Sequence, residues 1–270
     1  MFDRCLLLFV IATDSAQFRV ADEGVYIGSS LTLTQIGENL RVLCKERPTS
    51  QTYPFKAILN QLRWFSSNQI RNACSIGGNI ITASPISDLN PVLQAAGATL
   101  TLTCYGGSPR VVPIRQFFKS YRVVDRLPSE VLLYVFVPFS KPYEILHSFK
   151  QARRREDDIS IVTSGMRVRL ALAESVVKTD KKKNKKSKNN TNNNNNSSNS
   201  SNSNNNEWIV QDATLSFGGM AATTICALKT QEFLVGKPWS ETTLQAAYDM
   251  LSQVWLIFSN HHVVLQRSKP

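Results

Sequence analysis

No two cysteines in this chain are spaced to share a metal. The five, Cys5, Cys44, Cys74, Cys104 and Cys226, are odd in number and far apart. None forms the C-x-x-C pair that binds zinc or an iron–sulfur cluster, so they read as free thiols of a reducing cytosol. Histidine is scarcer still: His147, His261 and His262 are the three, without carboxylates spaced around them for a metal site. No metal is expected. Long apolar runs are missing too. Residues 6–12 (LLLFVIA) make a run of seven, too short for a bilayer, which takes about 20 residues. Asp3 and Arg4 are a poor charged lead for a signal peptide, which favours a buried strand there. No window approaches transmembrane length, so no membrane partner and a cytoplasmic location are expected.

What is present is a chain of 270 residues, 42% hydrophobic, enough for one large or two small globular domains. Its net charge of +11 suggests nucleic acid at first sight. However, seven lysines and one aspartate over residues 178–206 carry +6 of it, leaving about +5 for the rest. That tract (KTDKKKNKKSKNNTNNNNNSSNSSNSNNN) has no apolar residue and nothing to bury against the entropy of ordering it. It reads as a disordered insertion. Without interleaved aromatics, a solvated lysine run is favoured over a nucleic-acid patch, and no specific nucleic acid is expected.

The densest stretch is residues 62–91, LRWFSSNQIRNACSIGGNIITASPISDLNP. Gly77 and Gly78 sit among Ser75, Asn79 and a following polar cluster of Thr82, Ser84, Ser87 and Asp88. This composition fits either a simple turn or a ligand loop in which φ > 0 lets backbone N–H groups approach a phosphate or a flat ring. Around it, periodicity predicts a strand from Gly24, and a helix over 34–46 with Ile36, Leu40, Leu43 and Cys44 on one face. It predicts a break at Tyr53-Pro54, then a helix from Phe55 to Ser66 that delivers Trp64 and Phe65. A helical shoulder follows over 89–96, then a hairpin turning at Gly106-Gly107-Ser108-Pro109, and a strand from Val131 to Val137. Pro142 marks a subdomain boundary, with a second α+β unit from Tyr143. There, 159–173 and 208–217 alternate as paired strands across the insertion, and 223–233 and 242–255 read as helices.

The run LRWF with SIGGNIITASPISDLNP resembles the flavin domain of the xanthine dehydrogenase family. FFKSYR from Phe117, LPSEVLL from Leu127, FKQARRREDDI from Phe149 and FGGMAATTICALKT from Phe217 continue the resemblance in order. It spans roughly residues 24–252. It implies an α+β fold: a partial PCMH-type FAD-binding domain over 1–140, a CO dehydrogenase flavoprotein C-terminal-like domain over 143–256, and a tail over 257–270. Two departures stand out. The family's glycine-bearing V-G-N-T-E-type segment has no counterpart before Gly24, and the tail lacks the closing family segment. Half of the cofactor cleft is therefore expected to be missing from a truncated chain.

The resemblance implies FAD as cofactor. Electrons would arrive from 2Fe-2S centres and pass as hydride to NAD, or to dioxygen. Molybdopterin and iron–sulfur groups would sit on other domains or partner subunits. The residues matching the family's FAD contacts are Phe65, Ser75, Gly78, Asn79, Asp88, Leu132 and Lys150. Phe65 would stack on a ring, Ser75, Gly78 and Asn79 would bond the pyrophosphate or ribityl chain, and Asp88 a hydroxyl. Leu132 would pack on the ring system, and Lys150 would place positive charge at the flavin's pyrimidine edge. Residues 154–158 (RREDD), with Arg63 and Trp64, would border the nicotinamide. No residue is assigned a catalytic role. The alternative is a non-catalytic remnant or interaction protein without intact FAD binding.

Overall fold

The computed structural model describes residues 13–154, 156–173 and 208–252. The expected strand over 6–12, the insertion over 178–206 and the tail over 257–270 lie outside them. Strands β1 (Phe18–Val20), β2 (Gly24–Gly28), β3 (Thr99–Cys104), β4 (Arg110–Pro113) and β7 (Glu130–Pro138) form one antiparallel sheet in the order β1-β2-β7-β3-β4. Alternation explains its two faces. Val25, Ile27, Leu100, Val135 and Val137 are fully buried against helices. Between them Tyr26 and Phe136 pair at 4.7 Å on the opposite face, with the Arg19 guanidinium 4.5 Å over Tyr26.

Helix α1 (Leu33–Glu46) starts where the sequence predicts, with a capping box in which the Gln35 N–H donates to Thr32 Oγ1 and the Thr32 N–H to Gln35 Oε1. Its Leu33, Ile36, Leu40 and Leu43 enter the core. Helix α2 (Thr49–Arg63) corrects the expected break: Pro54 lies inside it, on the buried face beside Thr52 and Phe55. The helix forgoes one hydrogen bond, and burial of Phe55, Ala57, Ile58 and Leu62 outweighs that loss, at roughly 1.5–3 kcal/mol per large apolar side chain. Short helices α3 (Asn68–Ala73), α4 (Ile76–Thr82) and α5 (Asn90–Ala95) follow. Past the β3–β4 hairpin come α6 (Ile114–Phe117) and the small ribbon β5 (Phe118–Ser120) with β6 (Val123–Val124).

A second antiparallel sheet has the order β11-β10-β9-β8, built from β8 (Glu144–Ala152), β9 (Ser160–Leu172), β10 (Trp208–Gly218) and β11 (Ile225–Cys226). Strands β9 and β10 pair from Thr163↔Gly218 to Leu172↔Trp208, as their alternation predicts. The helix expected over 223–233 is instead β11 followed by α7 (Leu228–Leu234). The β-branched Ile225 pairs with Phe217, and only the segment after Ala227 turns helical. A further helix, α8, covers residues 241–252. Helices α7 and α8 shield one face of this sheet through Leu215, Leu234 and Ala247. Its other face lies on α2 and α5. Gly165 makes this possible: a Cβ there would stand 2.5 Å from the Pro91 carbonyl oxygen.

Candidate functional site

The Gly77-Gly78 segment is not an open loop. It forms the first turn of α4, capped by Ser75, and neither glycine has positive φ. Close packing is what demands glycine here. The Gly77 N–H donates to Ser29 O at 2.8 Å, and a Cβ on Gly77 would meet that oxygen at 2.7 Å. Ser29 in turn donates its N–H to Leu133 O at 3.0 Å, which ties α4 to β7. The other N–H groups of this turn are engaged too: Ile76 with Leu31 O, Gly78 with Ser75 Oγ, and Asn79 with Ser75 O. The backbone therefore offers no cradle of free amides. What it offers is the bare, exposed surface of Gly78, where a Cβ would touch only Ser75 Oγ at 3.1 Å.

A groove of about 470 Å³ opens beside α4, and Phe65, Asn79 and Asp88 all line it, with Ser66, Arg154 and Asp157. Three of the seven sequence-derived residues thus share one surface. Phe65 packs its inner edge on the main core. The turn that carries it is clamped by Arg71 of α3, whose guanidinium donates to the carbonyls of Phe65 and Ser66 and to Asn68 Oδ1. Ser66 takes φ +40°, a left-handed conformation uncommon for a residue other than glycine. Asn79 accepts from Ser87 Oγ through Oδ1 at 2.9 Å, and its Nδ2 has no partner among the described residues.

Lys150 meets Asp88 across 62 residues of chain: Nζ to Oδ2 is 2.9 Å, and both side chains are about nine-tenths buried. The same ammonium donates to Trp64 O at 2.8 Å, while Ser160 Oγ donates to Asp88 Oδ1. Neither charge is left uncompensated, which such burial requires. Lys150 also lines a second cavity, of about 500 Å³, with Trp64, Arg153 and Arg154. Arg154 borders both cavities. The Arg154 N–H donates to Asp158 Oδ2 at 2.7 Å, and with the Ile159 N–H it holds the Asp158 carboxyl below the usual range. Ser66 Oγ reaches Asp157 Oδ1 at 3.2 Å, so this turn sits against the Phe65 turn.

Ser75, Gly78 and Leu132 do not line the groove. Leu132 is core, 6% exposed on β7 opposite Leu102. Its neighbour Leu133 accepts the Ser29 N–H through its carbonyl oxygen. Residues that sequence reasoning missed are Gln61, Arg71 and Ser160, which hold the groove's members without lying next to them in the chain. Only the polar Gln61 inside an apolar helical stripe could have signalled such a role.

The donor set suits a flat, polar aromatic group: an aromatic ring, a free amide donor, a bare glycine and a buried ammonium. Two antiparallel sheets joined through α2 and α5, with this groove at the junction, define an α+β flavin-binding architecture. Residues 13–140 match the FAD binding domain in molybdopterin dehydrogenase, and residues 200–261 the CO dehydrogenase flavoprotein C-terminal domain. Residues 13–140 thus belong to the FAD-binding domain family of the molybdopterin dehydrogenases, and residues 200–261 to the domain that accompanies CO dehydrogenase flavoproteins. FAD is the cofactor of that domain.

The chain is 38% identical over 242 residues to xanthine dehydrogenase of Oryza sativa, covering 90% of this chain and 15% of that one. To xanthine dehydrogenase/oxidase of Gallus gallus it is 43% identical over 231 residues, 86% of this chain and 15% of the other. It thus spans less than a sixth of the length of these curated relatives. Among solved structures, a Cu,Mo-CO dehydrogenase aligns with TM-score 0.65 at 18% identity, over 88% of this chain and 67% of that one. Quinoline 2-oxidoreductase from Pseudomonas putida 86 aligns with TM-score 0.64 at 17% identity over the same shares. Among the described residues no helix is long and apolar enough to cross a membrane.

Proposed function

We propose that the groove bounded by Phe65, Asn79 and Asp88, backed by Lys150, holds the flavin of FAD, and that Ser75, Gly78 and Leu132 contact another part of the same cofactor. Bound FAD would supply a two-electron carrier able to exchange hydride with a nicotinamide. The observation that carries this reading is the Asp88–Lys150 pair, an ammonium and a carboxylate both about nine-tenths buried where the two sheets meet. Lys150 has a third N–H beyond those given to Trp64 and Asp88, and that proton can meet an electron-rich ring edge. Phe65 presents a flat face, and the Asn79 Nδ2 donates to a hydroxyl or phosphate oxygen. Trp64, Arg153 and Arg154 border the cavity on the Lys150 side, with the Arg63 guanidinium 4.8 Å over the Trp64 ring, and a nicotinamide would approach there.

In this reading the chain divides into a FAD-binding domain over 1–140, a C-terminal-like domain over 143–256 and a tail over 257–270. It takes electrons from iron–sulfur centres of another domain or subunit, with molybdopterin on a further one, and passes them to NAD or dioxygen. Its setting would be the cytoplasm and its role purine catabolism, as the xanthine dehydrogenase relatives suggest. With every N–H of the first turn of α4 already engaged, pyrophosphate contacts from this segment are few. FAD should therefore bind weakly. Titration followed by flavin fluorescence tests this: micromolar or weaker affinity is expected. Nanomolar affinity would mean that further contacts exist, and no binding at millimolar FAD would favour the non-catalytic alternative.

A further inference from the structure

We propose that Gln61 is a positioning residue of the flavin site, its side-chain amide holding two of the backbone carbonyls that frame Lys150, those of Asp88 and Phe149. The inference rests on the FAD reading above and adds a residue to it.

Gln61 lies in the last turns of α2, between apolar Ile58 and Leu62, and is 0% exposed. Its single amide nitrogen donates in two directions, to Asp88 O at 3.2 Å and to Phe149 O at 3.4 Å. Its backbone carbonyl accepts the Trp64 N–H at 3.1 Å. Each of these partners bears on Lys150. Trp64 supplies the carbonyl that accepts from Nζ, Asp88 supplies the carboxylate, and Phe149 immediately precedes the lysine on β8. A planar amide bonded to two carbonyls fixes their separation, and here it sets how far β8 stands from the loop carrying Asp88. No other described side chain bonds both strand and loop backbones. Ser160 and Thr163 also tie the second sheet to this loop, but from β9. They act on β8 through its pairing with β9, whereas Gln61 reaches β8 directly.

A purely structural glutamine would stabilise the junction without tuning Lys150, so the test reads Lys150 directly. Gln61→Met keeps length and bulk and removes the donor. In FAD-free folded protein, mass spectrometry after mild acetylation should show Lys150 reacting at least five times faster than in the parent, with other lysines unchanged. FAD affinity should fall about tenfold, and the absorption bands of bound flavin should shift. If Gln61→Met does not fold, Gln61→Asn serves: it keeps the amide but is one methylene too short to bridge both carbonyls. Unchanged Lys150 reactivity in a folded variant overturns the proposal, whatever happens to stability. If the parent itself binds no FAD, the flavin reading fails on its own, and Lys150 reactivity still decides whether Gln61 positions it.

Discussion

Replacing Lys150 with methionine should cost far more than its small size change suggests. At 2.9 Å the Asp88–Lys150 attraction is about 6 kcal/mol at an effective dielectric of about 20. Much of that offsets the desolvation of two charges held about nine-tenths out of water. The mutation does not refund that desolvation, because Asp88 stays buried with Ser160 as its remaining side-chain partner and the Trp64 carbonyl loses its donor. Lys150→Met is therefore expected to lower stability by about 3–5 kcal/mol, the usual range for a buried pair broken on one side. Asp88→Asn with Lys150→Met together should recover most of that loss, since an amide needs no counter-charge. Urea denaturation of parent, both single variants and the double variant measures the coupling directly. A Lys150→Met loss below about 1 kcal/mol, or strictly additive single effects, would show that the pair is solvated and that the electrostatic picture of the site is wrong.

Other expectations follow from the same contacts. Glu130, 5% exposed, is bound by Arg110 through both carboxylate oxygens and by the Leu127 N–H, which depresses its pKa from the usual 4.5 to about 2. A depressed carboxylate contributes stability that is full above pH 4.5 and lost as the pH falls toward 2. With Arg110 37% exposed, screening reduces this to about 1–2 kcal/mol. Glu130→Gln should flatten that part of the stability–pH curve, and an unaltered curve would refute the assignment. Gly77→Ala should destabilise by about 1–3 kcal/mol in thermal or urea melts, because its Cβ would press on the Ser29 carbonyl at 2.7 Å. Full stability there would mean that α4 can shift. Deleting residues 178–206 should leave stability unchanged or raise it by about 1 kcal/mol through the shorter closure. It should also remove +6 of charge and weaken retention on a nucleic-acid column. Loss of the β9–β10 fold or of FAD binding would contradict the reading of that tract as an inert insertion.

Much of the architecture was legible because one face of each element is apolar at the right period. Helix α1 announces itself through Ile36, Leu40 and Leu43, and β9 and β10 through matched alternation. Two of the errors share a cause: residues that punctuate chains on average were here serving packing. Pro54 fits the buried side of α2, and Gly77 exists to let α4 approach Ser29, so neither breaks its element. Strand β8 went unassigned although its burial alternates from Glu144 to Phe149, because its buried face carries the polar Glu144 and Ser148 while the apolar Ile145 and Phe149 are exposed. The site was legible as a set of residues and illegible as a geometry. Asp88 and Lys150 could be named from the resemblance, yet nothing local says that residues so distant in sequence form one buried pair. Nor does anything local reveal that Gln61 and Ser160 complete their surroundings.

The central claim is that FAD lies over the Asp88–Lys150 junction. Backbone hydrogen exchange, read by mass spectrometry with and without saturating FAD, tests it most directly. Protection is predicted in three segments that are separate in sequence and joined only in the fold: residues 64–66, 79–88 and 148–154. Protection confined to the apolar groove over the opposite face of β8, lined by Ile145, His147 and Tyr248, would contradict the account, as would saturation without protection in these segments.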